Sequence, residues 1–337
     1  MPANPGGFSG DIAIGVFQTD MSPYSLGQVG VFNGTTTPVT GAFLNDSNSN
    51  HVAVSPSTAM SWGLPGGLFG APAEIWGRFS YKDTDNSRSA TVGGLTTTIP
   101  YIDALHRVPL PLGQTFTFLD FGQVSTVQRS LTSYDTEAGG RVNFAIGSMT
   151  ISPAAFFGYQ RIDQVDAMTS TITAPGDVSQ MNVMTNLSTD YYRFGLGIGT
   201  SMPVTFIGPT VSWFNYLSGS ADVVDSRFNA QQAVNFGFFI NPATQTGANF
   251  RTASASGHHS DIGGHVAFQT GLVNQSSPAF AQFIAVSVGY ISNVPFVSYP
   301  QFAGGAIMDG ATLTHPAQLS STGQTSYGIT AGFNFRF

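Results

Sequence analysis

The last eleven residues, 327–337, alternate without a break. Tyr327, Ile329, Ala331, Phe333, Phe335 and Phe337 form one set, and Gly328, Thr330, Gly332, Asn334 and Arg336 form the other. Successive side chains of a strand point to opposite faces, so this strand has one apolar face and one small or polar face. Other segments repeat the pattern. Over residues 134–146, Tyr134, Val142, Phe144 and Ile146 share a face, opposite Asp135, Glu137, Arg141 and Asn143. Ile75, Phe79 and Tyr81 oppose Glu74, Trp76, Arg78 and Lys82, and Tyr192, Phe194, Leu196 and Ile198 oppose Arg193 and three glycines. Ile284, Val286, Val288 and Tyr290 continue the series, and Ile12, Ile14 and Val16 open it. Charge therefore falls on the non-apolar face of strands.

Composition decides which all-β solution this is. Charged residues make up 9% of the 337, against roughly 25% in soluble domains. A surface can do without charge only where it does not face bulk water, either in lipid or against other subunits. No run of 18 or more apolar residues exists, so helical spans are excluded. The uncharged segment between Asp46 and Glu74 is broken as a helix by Pro56, Pro65 and Pro72. The remaining spanning structure is a closed β-barrel, whose lipid face appears only as every second residue. With 42% apolar and 12% aromatic residues, disorder is disfavoured. The chain has no cysteine, which excludes disulfides and Cys-ligated metal centres. The single lysine, Lys82, and ten scattered arginines make no basic patch, so nucleic acid is not an expected partner.

The C-terminus resembles the assembly signal of Gram-negative outer-membrane barrels: a polar residue, a glycine two positions on, then apolar residues five and seven positions after the polar one, the last a terminal Phe. Thr330, Gly332, Phe335 and Phe337 fill those places. The resemblance implies localisation in the cell outer membrane. It also implies contact with outer-membrane lipid and lipopolysaccharide, delivery through the barrel-assembly machinery by the C-terminal strand, and room for a homo-oligomer. Met1-Pro2-Ala3-Asn4 has neither a basic start nor an apolar core, so export requires a signal peptide already removed from this chain.

The expected fold is all-β: a single domain, 1–337, forming a transmembrane antiparallel up-and-down barrel of 12 strands, with 14 as the alternative. Thirteen strand candidates start near residues 8, 27, 50, 73, 93, 114, 134, 149, 190, 204, 262, 279 and 326, and bacterial single-chain barrels use an even number. Gly147-Ser148 reads as a tight turn. Residues 163–189, 218–260 and 293–325, rich in Asn, Ser, Thr and Gly, read as long extracellular loops. Residues 83–91 then fall outside and 106–113 inside.

Three groups of residues are functional candidates. Glu74, Arg78, Asp135, Glu137, Arg141 and Arg193 lie on inward phases, where opposed charges form either a selectivity constriction or a salt-bridged filler of the lumen. His258 and Ser260, two apart, weakly resemble the His-x-Ser-Asn of outer-membrane lipid A deacylases, with Asp261 in place of the Asn. His259, Asp261 and His265 are a weaker metal candidate; no catalytic residue, metal site or cofactor is assigned. Tyr134, Tyr191, Tyr192, Tyr290, Tyr327 and Phe337 are expected members of interfacial aromatic girdles. The expected function is a porin-like channel, not an enzyme, passing small hydrophilic solutes or ions. The alternatives are a structural surface-lattice or shell protein and a lipid hydrolase using His258 and Ser260.

Overall fold

A computed structural model describes residues 7–20, 24–25, 31–32, 38–39, 45–46, 50–98, 117–174, 177–235, 250–298 and 318–337. Ten long strands dominate them: β1 (Phe8–Asp20), β2 (Asn50–Gly63), β3 (Ala73–Thr98), β4 (Thr117–Val142), β5 (Met149–Ala174), β6 (Asp177–Pro203), β7 (Val211–Asn235), β8 (Phe250–Ser277), β9 (Phe280–Ser298) and β10 (Gln318–Arg336). Each pairs antiparallel with the next, and β10 pairs with β1, which closes the sheet into a barrel. Short strands at 24–25, 31–32, 38–39 and 45–46 lie between β1 and β2, and Phe144–Ile146 continues β4 past Asn143. Closure satisfies the backbone without a free edge, the condition for crossing lipid with strands.

The register fixes the geometry. Stepping from partner to partner, Gly63 leads through Glu74, Arg141, Ala154, Gly197, Ser218, Ala267, Gly289, Ser326 and Thr19 to His51, twelve residues away on the starting strand. With strands ~4.8 Å apart and ~3.3 Å per residue, that offset sets a tilt of about 40° and a Cα radius of about 10 Å. Each step to the next strand then has to be corrected by about 1.2 residues to stay at one height. Corrected in this way, Tyr81, Tyr134, Tyr159, Tyr192, Tyr290 and Tyr327 fall within about 4 Å of one level, all on outward phases. Phe8, Trp62, Trp213, Phe280 and Phe335 form a second outward level about 22 Å below. Between the rings the wall exposes Ile14, Ile75, Phe79, Leu196, Leu217, Val286 and Ile329. An apolar band of ~25 Å between aromatic girdles is the signature of an outer-membrane barrel. Tyr81 packs against Tyr134 with tilted rings (5.3 Å between centroids), and Tyr159 against Tyr192 likewise (5.4 Å). Tyr191 does not belong to the girdle: next to Tyr192 in sequence, it points inward and is buried.

Ten strands, not 12 or 14, close the barrel among the described residues. The candidates near 73 and 93 are one strand, β3, and those near 114 and 134 are one strand, β4. The candidate near 27 lies outside the described residues. Residues 163–174 and 177–189 are the paired upper halves of β5 and β6, not a loop; 218–235 and 250–260 belong to β7 and β8, and 293–298 and 318–325 to β9 and β10. The cause is length. Strands of 25–28 residues run far beyond the ~9–11 that a membrane requires. Above the tyrosine ring the outer phase meets water, so the apolar alternation vanishes while the pairing continues.

The four turns at the aromatic end are short: 64–72, 147–148, 204–210 and 278–279. At Gly147 φ is +61°, a left-handed value that suits glycine in the Gly147-Ser148 turn. Residues 106–113 lie outside the described residues. They fall between Thr98 and Thr117, which pair at the opposite, long-connection end.

Candidate functional site

The inward face is built by glycine and aromatic residues packing across neighbouring strands. Phe156 of β5 lies over Gly195 of β6 so closely that a Cβ there would sit 2.1 Å from the ring, and Phe17 of β1 covers Gly328 of β10 in the same way (2.3 Å). Charged side chains occupy the space these rings leave.

All six predicted lumen charges point inward, and each pairs with another of the six. Near the short-turn end Arg141 is hydrogen-bonded to Glu74, which also accepts from Asn143 (3.4 Å). Higher up, Arg78 meets Glu137 at 2.8 Å. At the tyrosine level Arg193 bonds Asp135 and reaches Glu137 at 3.5 Å. Glu137 and Arg141, four apart on β4, do not pair with each other, because each has a closer partner on the neighbouring strand β3. Sequence reasoning missed three further participants. His265 Nδ1 lies 3.3 Å from Arg193, Lys82 stands over the Phe17 ring at 4.6 Å, and Asp222 is buried beside Arg193. Asp222 was legible only once β7 was known to continue through 218–235, whereas the inward phase of His265 follows from the strand expected from 262.

The lumen is uneven. The Arg78 side chain is 44% exposed although it points into the barrel, whereas Arg193 is 1% exposed. The interior therefore keeps open space around Arg78 and is tightly filled at the Arg193–Asp135–Glu137 cluster near the tyrosine ring. Above it, Val183, Leu187, Val224, Phe228 and Ala230 are buried on inward phases.

The histidine motif is divided by the wall. His258 and Ser260 face outward above the tyrosine ring, and both bond Asp225 Oδ1; Ser260 Oγ donates at 2.9 Å. These bonds hold the Asp225 carboxyl below the usual carboxylate range, His258 contributing most. Ser260 thus donates to a carboxylate and not to His258, which is not a nucleophile–base pair. His259 and Asp261 face inward, 4.0 Å apart, and His265 belongs to the Arg193 cluster. No group of three or more metal-ligating side chains occurs among the described residues. On the outer wall, Arg161 and Ser188 draw Asp163 below its ordinary value against the opposing effect of burial.

No family model matches the sequence, and no curated protein matches it. Among solved structures, the chain is similar to the outer membrane protease OmpT from Escherichia coli, at 11% identity, 100% of this chain and 99% of that one, and a TM-score of 0.43. It is similar to the transport unit of the autotransporter AIDA-I from Escherichia coli at 6% identity, 98% and 90% coverage, and a TM-score of 0.30. A FadL homologue of Pseudomonas aeruginosa follows at 8% identity, 98% and 90% coverage, and 0.21. With every score below 0.5, no activity or residue role is carried over. The wall itself decides the location, because a closed barrel with an outward apolar band between two aromatic rings fits an outer membrane. The chain is an outer-membrane β-barrel.

Proposed function

We propose that the protein is a narrow porin-like channel for passive diffusion of small hydrophilic solutes or ions, with its long connections outside the cell. The observation that carries this reading is Arg78. It is a charged side chain in water-accessible space inside the membrane-level wall, paired with Glu137 across β3 and β4. A barrel that served only as an anchor has no need of a charged interior, since filling it with apolar side chains is at least as stable as filling it with ion pairs. The Arg193 cluster is the lower end of a closed stretch that continues upward through the buried inward residues Leu187, Val224 and Phe228. The scarcity of charge is accounted for by lipid contact, so burial in a surface lattice is not needed to explain it. The hydrolase reading loses its support with the bonding of Ser260 to Asp225. Conductance across planar bilayers tests the proposal: stepwise current is expected from the parent, and longer or larger openings from Arg193→Ala. Silence from both proteins, with the barrel folded, would sink it.

A further inference from the structure

Pairing of β8 with β9 stops at His265 and Ile291, and the two strands part above that point. Asn293 takes a φ of +55°, a left-handed conformation that Asn tolerates better than most residues. Its Nδ2 fastens the break by donating to Ile262 O (2.5 Å) and Asp261 Oδ2 (3.2 Å), while Gly264 N–H donates to Ser292 Oγ (2.8 Å). Beyond the break β9 pairs with β10 alone among the described residues. The parting leaves a cavity of about 130 Å³ between β7, β8, β9 and β10, roughly 10–15 Å above the tyrosine ring by register.

The lining of this cavity is chemically one-sided. Ser226, His259, Asp261, Asn293, Ser320 and Ser321 contribute the polar surface, and Val224 and Leu319 part of the apolar wall. Asp261 brings the one carboxylate, and no lysine or arginine lines the space. Asp261 Oδ1 accepts the Ile262 N–H (2.7 Å) and Oδ2 the Asn293 amide, which leaves both oxygens with acceptor capacity. Ser226 is 2% exposed, yet its Oγ has no hydrogen-bond partner. A buried hydroxyl without a partner is unfavourable, and a bound polar group relieves it.

We infer that this cavity binds a small solute bearing an ammonium group, with Asp261 as its counter-charge and Ser226 as a second oxygen contact. An ammonium presents several donors in tetrahedral directions, which suits one carboxylate and separate hydroxyls, whereas an anion would face Asp261 with only His259, 4.0 Å from that carboxylate, to offset it. The inference extends the channel reading by naming a solute class, and its test measures binding without conduction, so the two can fail separately.

The purified full chain in detergent is titrated calorimetrically with ethanolammonium chloride, and in parallel with ethylene glycol and sodium glycolate. Saturable one-site binding of ethanolammonium alone is expected. Asp261→Asn should weaken it at least tenfold and Ser226→Ala several-fold, while Asp225→Asn, on the outer face, should leave it unchanged. Heat-modifiable migration on gels confirms that each variant is folded, and Ser226→Ala decides the matter if Asp261→Asn does not fold. Equal binding of ethylene glycol, unchanged binding by the variants, or no saturable heat would overturn the inference. So would tight binding of zinc chloride, lost in His259→Ala, with ethanolammonium silent.

Discussion

Arg193 and Asp222 are register partners on β6 and β7, yet the guanidinium turns away from its neighbour, bonds Asp135 on β4 and reaches Glu137 on the same strand at 3.5 Å. The intervening strand permits this because its residue in the same row is Gly158. A Cβ at Gly158 would stand 3.1 Å from Arg193 Nε, so the arginine lies across β5 in the space the glycine leaves. Asp222, passed over, accepts from Ser220 Oγ at 2.6 Å and keeps Oδ2 without a partner.

Gly158→Val should therefore push Arg193 off β4 and destabilise the barrel by about 1–3 kcal/mol, as overpacking does. Asp222→Ala should cost about 1 kcal/mol or less, since a single hydrogen bond is lost. Urea-induced unfolding in lipid or detergent compares the two. A larger loss for Asp222→Ala would mean that Arg193 is balanced by its register partner after all.

Arg78→Gln and Arg193→Gln should separate selectivity from fold. Arg78 is 44% exposed, so neutralising it should shift ion selectivity toward cations with little loss of stability. Screening over ~10 Å at 0.1 M salt makes the shift largest at low salt. Arg193 is buried between two carboxylates, and removing one member of such a cluster costs up to ~3–5 kcal/mol when desolvation is complete. Reversal potentials in a salt gradient and unfolding curves give the two readouts. Identical reversal potentials for parent and Arg78→Gln at low salt would remove Arg78 from the conducting path.

The parts of this fold legible in the sequence are those where lipid writes a pattern. From Tyr192 to Ile198 the outer phase must be apolar, and the phase of Arg193 follows by exclusion. Above the ring both faces of β7 are free to be polar, and Asp222 and Asp225, three apart, read as loop residues although one is buried inside and the other lies on the outer wall. Parity separates them only if the strand is known to continue. The pairing of Glu74 with Arg141, 67 positions apart, depends on a register that no local spacing encodes. Tyr191 and Tyr192 show the limit at a single residue, because an aromatic pair marks the interface without saying which ring faces it.

Substitutions on β10 should follow depth and face together. Ala331 lies midway between the ring residues Tyr327 and Phe335, where arginine costs roughly 2–4 kcal/mol, while Ile329 and Phe333, each two residues from a ring, should cost less and about equally. Asn334 points inward and donates to Asp11 at 3.2 Å, so Asn334→Arg places a cation beside a carboxylate and should be tolerated. Folding yield into lipid vesicles ranks the variants. Damage from Asn334→Arg equal to that from Ile329→Arg would show that the two faces are reversed.

The outer rim of β7 and β8 should respond to acid through Asp225. His258 and Ser260 bond its carboxylate and hold the folded value below the ordinary ~3.9. A carboxyl depressed on folding adds stability that is fully present above the unfolded value and is lost as pH falls through the folded one. The tie between His258, Ser260 and Asp225 should therefore survive to below pH ~3.9 and then release. Carbon-13 titration of the Asp225 carboxyl should give a midpoint below that of an ordinary aspartate. His258→Ala should raise the midpoint more than Ser260→Ala does, because the imidazole contributes the larger effect. Amide hydrogen exchange in the upper halves of β7 and β8 should quicken over the same acid range in the parent and begin at higher pH in His258→Ala. A midpoint unmoved by His258→Ala would show that the imidazole does not hold the carboxylate, and the bonding that argues against Ser260 as a nucleophile would have to be reassigned.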